Sequence, residues 1–318
     1  MTAAIALSSR SRGQTTPNPN VGCILLDALG HVVGRGWTQP GGRPHAEAMA
    51  LAQAAGGARG GTAFVTLEPC AHRSDRGPCC TDLLIDAGVK RVIIAATDPD
   101  PRTNGQGIAK LRNAGVDVET GLLAREARTA MAGFFTRQSM ARPYVTLKLA
   151  TSLDGCIALS NGTSQWITGP AARAHGHVER ARHELILVGR GTFDADQPRL
   201  DVRLPGLEAR APARILLSSS QSAPEGWTVI EQPSDIGRLT GDHLLIEGGA
   251  QAAAAFVAAD LVDRLLLYRA PIFIGGGKAG LGDMGLTDLA QAHGRWALRD
   301  ARSFGPDRLE VYERTRAE

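Results

Sequence analysis

Aromatic residues make up only 4% of this 318-residue sequence, and nowhere is a Lys/Arg-rich run interleaved with them. A stacking platform for nucleic acid is therefore not expected. Long apolar runs are missing too, since none approaches the ~18 residues of a membrane span. The segment from Met1 to Arg12 has a short apolar run with its arginines after it, the reverse of a secretory signal. Cysteine is scarce and odd in number, five in all, which argues against a disulfide framework. Neither sign of charge dominates. The net value is +3, with the positive excess in residues 1–142 and a slight negative balance after them. An imbalance of this size suits a phosphorylated small molecule and provides no basic stripe for a polyanion. A soluble, cytoplasmic protein with no nucleic-acid or membrane partner is the expectation.

Against this background a few residues stand out. The chain reads His45-Ala46-Glu47, then Pro69-Cys70, then Cys79, which supplies one imidazole, two thiolates and a free carboxylate. One nitrogen and two sulfurs fill three corners of a tetrahedron around Zn²⁺ and leave the fourth for water, whose pKa falls to about 7. Glu47 is then left to move protons, the division of labour of zinc-dependent deaminases.

Positions two apart in mid-helix diverge by about 200°, so His45 and Glu47 serve one site only if it lies over a helix N-terminus. Gly41-Gly42 and Pro44 mark such a start. The β-branched run from Thr62 to Leu67 predicts a buried strand that delivers Glu68-Pro69-Cys70 at its end, and Cys79 precedes a helical pattern from Thr81 to Ala87. Two helix starts and one strand end thus converge. A closed structural zinc site, with His72 or Cys80 as fourth ligand, is the alternative, but it leaves Glu47 without a task. Because Cys80 adjoins Cys79, the register of the second thiolate stays open. Cys23 and Cys156 lie inside apolar runs and read as buried filler.

The length predicts two domains. Strand patterns at Val21 to Leu26, His31 to Trp37, Thr62 to Leu67, Arg91 to Thr97 and Asp117 to Glu119 alternate with helical ones, giving a three-layer α/β/α unit. A single helix over Ala124 to Gln138 leads to Arg142-Pro143, where proline disfavours helix at the preceding residue. The expected division is 1–142 and 143–318. In the second part, Tyr144 to Ala150, Leu185 to Gly189, Ile215 to Leu217 and Leu244 to Ile246 read as strands, and Pro170 to Glu184 as a helix. Glu247-Gly248-Gly249 before the helix Ala250 to Ala259 offers backbone N–H groups to a phosphate. The run Gly275-Gly276-Gly277-Lys278 is not a Walker loop, because Ala279 stands where Ser or Thr must hold Mg²⁺.

Pro17-Asn18-Pro19-Asn20-Val21-Gly22, His45-Ala46-Glu47, Thr66-Leu67-Glu68-Pro69-Cys70-Ala71-His72 and Asp98-Pro99-Asp100-Pro101 resemble the deaminase half of the bifunctional riboflavin-biosynthesis deaminase/reductases. Lys148-Leu149-Ala150-Thr151-Ser152-Leu153-Asp154-Gly155, Ser164-Gln165-Trp166-Ile167-Thr168, Val188-Gly189 with Thr192, and Glu247-Gly248-Gly249 resemble the reductase half.

The resemblance implies a cytidine-deaminase-like domain followed by a dihydrofolate-reductase-like α/β domain. It implies Zn²⁺ and NADPH as cofactors, phosphorylated pyrimidines as substrates, and a homo-oligomer through the reductase domain. By position, His45, Cys70 and Cys79 hold zinc, Glu47 is the catalytic acid/base, and Asn18 touches the pyrimidine. Ala150, Trp166, Thr192, Asp196, Ser219, Gly249 and Ala250 line NADPH. Ser164, Arg180, Leu200, Arg203 and Glu247 line the second substrate, with Arg180 and Arg203 expected to clamp its phosphate. Lys148 and Glu247 are the ionisable groups to test first, although a strand lysine suits a sheet edge. Departures from the family pattern fall at Ser74-Asp75-Arg76-Gly77-Pro78, Met131, Gln197 and Ser218.

Overall fold

A computed structural model describes residues 1–72, 76–219 and 224–316. The chain divides into two compact units, Met1–Ala141 and Arg142–Glu318. No helix among the described residues is long and apolar enough to cross a membrane.

The first unit contains α1 (Thr2–Ser8), β1 (Gly22–Leu26), β2 (Val32–Trp37), α2 (Ala46–Ala54), β3 (Thr62–Leu67), α3 (Cys80–Asp86), β4 (Arg91–Ala96), α4 (Gln106–Asn113), β5 (Asp117–Thr120), α5 (Ala124–Ala130) and α6 (Ala132–Met140). Its sheet runs β2-β1-β3-β4-β5, antiparallel from β2 to β3 and parallel from β3 to β5. β3 and β4 alternate little between apolar and polar because helices cover both faces. The helices approach closely enough to dictate residue type. A Cβ on Gly36 would sit 2.0 Å from the Ala46 carbonyl oxygen of α2, and one on Gly22 would sit 1.9 Å from the Ala4 carbonyl oxygen of α1. Gly36 pairs with Cys23, so it shares that residue's face and Gly22 takes the other. α1 and α2 therefore lie on opposite sides of the sheet, with Leu25, Val65, Ile94 and Leu111 buried between layers.

The single helix expected over Ala124 to Gln138 is instead two, interrupted at Met131 with φ −111° and ψ 24°. Met131 is fully buried, and the Asn20 side-chain amide donates to the Ala130 carbonyl at 3.1 Å. That donor satisfies a carbonyl at the break, which local sequence could not reveal.

The second unit contains β6 (Tyr144–Thr151), β7 (Cys156–Ala158), α7 (Pro170–Arg180), β8 (Leu185–Gly189), α8 (Arg190–Asp196), β9 (Ala213–Leu217), β10 (Trp227–Ile230), β11 (His243–Glu247), α9 (Ala250–Ala258), β12 (Arg264–Arg269), β13 (Lys278–Ala279), β14 (Trp296–Phe304) and β15 (Asp307–Arg314). Its main sheet has the order β10-β9-β8-β11-β6-β12-β15-β14. It is parallel from β10 to β12 and closes with the antiparallel β14–β15 hairpin. β6 lies in the interior between β11 and β12, so Lys148 is on a central strand and not at an edge. The carboxyl ends of β6 and β11 bring Lys148 and Glu247 into register, where open parallel sheets hold their ligands. The hairpin escaped the sequence reading because Arg and Glu that pair across it, such as Arg299 with Glu313, hide the alternation of half-exposed strands.

Candidate metal centre and reductase cleft

In the first unit, β3 ends at Leu67 and passes directly into Glu68-Pro69-Cys70. Glu68 is buried. Its carboxylate accepts the backbone N–H groups of Gly105 at 3.0 Å and Ile108 at 3.1 Å, pinning the start of α4 beside the strand end. Glu68 is thus a scaffold for Cys70, a role that its place in the motif did not disclose. His45 is the N-cap residue of α2, with φ −73° and ψ 163°, and Glu47 lies in the first turn. The helix-start arrangement expected for these two residues is the one observed.

His45 Nδ1 lies 3.3 Å from Cys80 Sγ and 3.7 Å from Cys70 Sγ. The ligand atoms of His45, Cys70 and Cys80 all fall within 4.8 Å of one another. A nitrogen and two buried sulfurs this close together fit Zn²⁺. The sulfur that joins His45 and Cys70 in this structure is that of Cys80, whereas the sequence pointed to Cys79. Cys79 is the N-cap of α3. Its Sγ is directed to the Cys70 carbonyl at 3.0 Å and the Thr81 hydroxyl at 2.9 Å. Cys80, one residue further, begins the helix and faces His45.

Asn18 was expected at the pyrimidine. Its amide meets His45 Nε2 at 2.9 Å. The contact is made by Nδ2, so the Asn18 amide donates to Nε2 and holds the ring with Nδ1 turned toward the two sulfurs. Hydrogen bonding from the Cys80 thiol, outweighing burial and helped by His45, pulls the Cys70 thiol down to about 4. Donation to Cys70, together with burial, pushes Cys80 up. Metal binding needs both sulfurs as thiolates and is therefore linked to proton release. Burial pushes the Glu47 carboxyl up, and a nearby dication pulls it back toward the ionised form.

Beside these residues a cavity of ≈ 260 Å³ is lined by Arg43, Pro44, His45, Ala48, Arg76, Gly77, Pro78 and Cys80. Of the divergent stretch Ser74 to Pro78, Ser74 and Asp75 lie outside the described residues. Cys23 and Cys156 are both buried and unpaired by disulfide.

In the second unit a cleft of ≈ 350 Å³ gathers Lys148, Trp166, Arg180, Arg203 and Glu247, with Arg173, His177 and Tyr268 added to the residues the sequence suggested. Arg180 donates Nε and Nη2 to the two carboxylate oxygens of Glu247, each at 2.8 Å, and Nη1 to the Asp201 carbonyl at 2.9 Å. Its fork is therefore engaged by protein and is not the open phosphate clamp expected. Burial alone would raise the Glu247 carboxyl, but Arg180 and then Lys148 hold it at about 2. Arg203 is half-exposed and 3.4 Å from Asp201.

Leu200 is packed with Ile186, Val188, Leu216 and Leu245, so its side chain is core and does not line the cleft. Thr192 sits over the turn before α9: a Cβ on Gly249 would come within 2.8 Å of its hydroxyl. Thr192, Gly249 and Ala250 are thereby brought together at the end of β11. Ala150 is the penultimate residue of β6. Ser164, Asp196 and Ser219 lie on connecting segments or a helix end and do not line the cleft. Ser218 accepts from Arg190 Nε at 3.0 Å, and Gln197 caps α8 with φ 40°.

Residues 1–96 match the cytidine and deoxycytidylate deaminase zinc-binding region, and residues 143–309 match the RibD C-terminal domain. Fold, site and these matches define a bifunctional enzyme, a zinc-dependent deaminase joined to a reductase. The chain is 36% identical to the riboflavin biosynthesis protein RibD of Escherichia coli, covering 96% of both chains. It is 37% identical to that of Mycobacterium tuberculosis H37Rv, covering 97% of this chain and 95% of the relative. Among solved structures it is similar to Acinetobacter baumannii RibD, with TM-score 0.88, 34% identity and 99% and 98% of the two chains covered. A Thermotoga maritima protein described as a diaminohydroxyphosphoribosylaminopyrimidine deaminase/5-amino-6-(5-phosphoribosylamino)uracil reductase gives TM-score 0.89 at 31% identity, covering 99% and 97%. The chain belongs to the RibD family of riboflavin biosynthesis proteins.

Proposed function

We propose that residues 1–142 remove the 2-amino group of 2,5-diamino-6-(5-phosphoribosylamino)pyrimidin-4-one by hydrolysis. Residues 143–318 then use NADPH to reduce the ribosyl group of 5-amino-6-(5-phosphoribosylamino)uracil to a ribityl chain. The observation that carries the reading is the His45–Cys70–Cys80 cluster, its two thiols buried and its imidazole part-buried, beside the buried Glu47.

These three residues would hold a zinc ion, which when bound would supply an activated water. Glu47, buried at the first turn of α2, is placed to accept a proton from the attacking water and to deliver it to the departing amine, so that the ring would gain oxygen and lose ammonia. Asn18 donates from Nδ2 to His45 Nε2 and orients the ring so that Nδ1 faces the two thiols.

In the second unit NADPH supplies the hydride, and the protein must align the reacting carbons and exclude water. Thr192 with Gly249 and Ala250 forms the cofactor side. The Arg180–Glu247 pair and Lys148 form the polar floor of the substrate side, where Lys148 and Glu247 are the groups placed to handle a proton. A cytoplasmic homo-oligomer joined through the reductase unit completes the reading. Phe273, 79% exposed, and Ile272, 41% exposed, support such a covered face on that unit.

One assay tests the two activities: ammonia release and NADPH absorbance followed with the same purified chain. Glu47→Gln is expected to lower deamination by about 10²–10⁴-fold while zinc content and NADPH oxidation on the deaminated substrate stay unchanged. Absence of both activities in the parent chain overturns the proposal.

A further inference from the structure

The phosphate that the second unit must grip is already present on the first unit's substrate, yet the residues assigned so far at the metal centre include no cation to receive it. We infer that Arg43 is a specificity-determining residue of the deaminase site that binds the phosphate of its substrate. This inference rests on the proposed function above.

Three observations place Arg43 in that role. It lines the same cavity as His45 and Cys80, so a ligand that reaches the metal centre passes its guanidinium. Its position is built, not incidental. Nη1 donates to the Pro78 carbonyl at 3.1 Å, and the side chain lies against Gly77, where a Cβ would come within 2.8 Å of Nη1. Gly77 has φ +148°, so the position favours glycine on backbone grounds as well.

Arg43 also forms no ion pair among the described residues, its one hydrogen bond going to a neutral carbonyl. A guanidinium carries five N–H donors in a fixed fork that matches a phosphate bidentately. The opposing loop returns the contact: Arg76 donates Nη2 to the Gly41 carbonyl at 2.6 Å and Nη1 to Asn18 Oδ1 at 3.4 Å. The two loops that form the cavity are thereby cross-tied, and the tie reaches the residue that orients His45. The guanidiniums expected to hold phosphate in the second unit differ in this respect. Arg180 is committed to Glu247 and Arg203 stands by Asp201.

The test compares Arg43→Gln and Arg43→Lys with the parent chain on the phosphorylated pyrimidine and on its dephosphorylated counterpart, with zinc content measured throughout. A charge-assisted contact of this kind corresponds to on the order of a tenfold to hundredfold change. Arg43→Gln should lower the ratio of kcat/KM for the phosphorylated substrate to that for the dephosphorylated one by that factor. Arg43→Lys should restore part of it, and inorganic phosphate should inhibit the parent more strongly than the Gln variant. An unchanged ratio, whether both substrates slow together through a loosened loop or neither slows, overturns the assignment. A parent chain that deaminates neither substrate refutes the proposed function instead.

Discussion

Replacing Cys79 and Cys80 separately by Ser tests the geometry of the metal centre most directly, because the two residues are adjacent and chemically identical. Zinc held by four protein ligands in small domains is bound with about 10–16 kcal/mol, so one ligand in four corresponds to about 3 kcal/mol, a hundredfold or more in affinity. Cys80→Ser removes the sulfur that lies 3.3 Å from His45 Nδ1 and should lose zinc by that factor, with deamination falling in proportion. Cys79→Ser changes a sulfur that contacts the Cys70 carbonyl and Thr81 at 3.0 and 2.9 Å. A serine hydroxyl can make both contacts, and serine is a favourable N-cap. That variant should keep its zinc. Elemental analysis after equilibration in a chelator-buffered zinc series, with ammonia release measured on the same samples, reads both effects. Loss of metal from Cys79→Ser with retention by Cys80→Ser would refute the assignment of Cys80 and restore the neighbouring sulfur as ligand.

Two further outcomes follow from packing and charge. Glu247 is held at about 2 in the fold, below its ordinary 4.5. The stability it contributes is therefore complete above about pH 4.5 and is lost as pH falls toward 2. The depression corresponds to roughly 3 kcal/mol, and calorimetric melting of the second unit between pH 6 and pH 3 should fall more steeply for the parent than for Glu247→Gln, identical slopes being the contrary result. In the first unit, Gly36→Ala would place a methyl 2.0 Å from the Ala46 carbonyl oxygen. Displacing α2 in this way should cost about 1–3 kcal/mol. The variant should melt earlier and bind zinc more weakly while NADPH oxidation is kept, whereas unaltered melting would show that the helix can shift freely.

Much of the candidate site was legible because it is local. The Thr62 to Leu67 run, Pro44 before His45, and the acid at Glu47 each describe one strand end or one helix start, and short-range chain geometry settles those. The Ala124 to Gln138 pattern failed for the opposite reason: Asn20, over a hundred residues away in sequence, supplies the donor that allows the break at Met131. Arg43 was likewise silent in the sequence, an ordinary arginine until the Gly77-Pro78 loop folds against it.

The amino-acid order by itself determined the ligand types, their spacing, the two-unit division and the Gly-rich turn after β11, since each is written in consecutive residues. Tertiary structure alone decided which of two adjacent thiols faces His45. Successive residues at a helix start point about 100° apart, and only the packing of α3 against α2 selects one of them. It also decided that Arg180 spends its fork on Glu247, a partner 67 residues away. An ion pair of that kind depends on where strands and helices come to rest, and no local pattern encodes it.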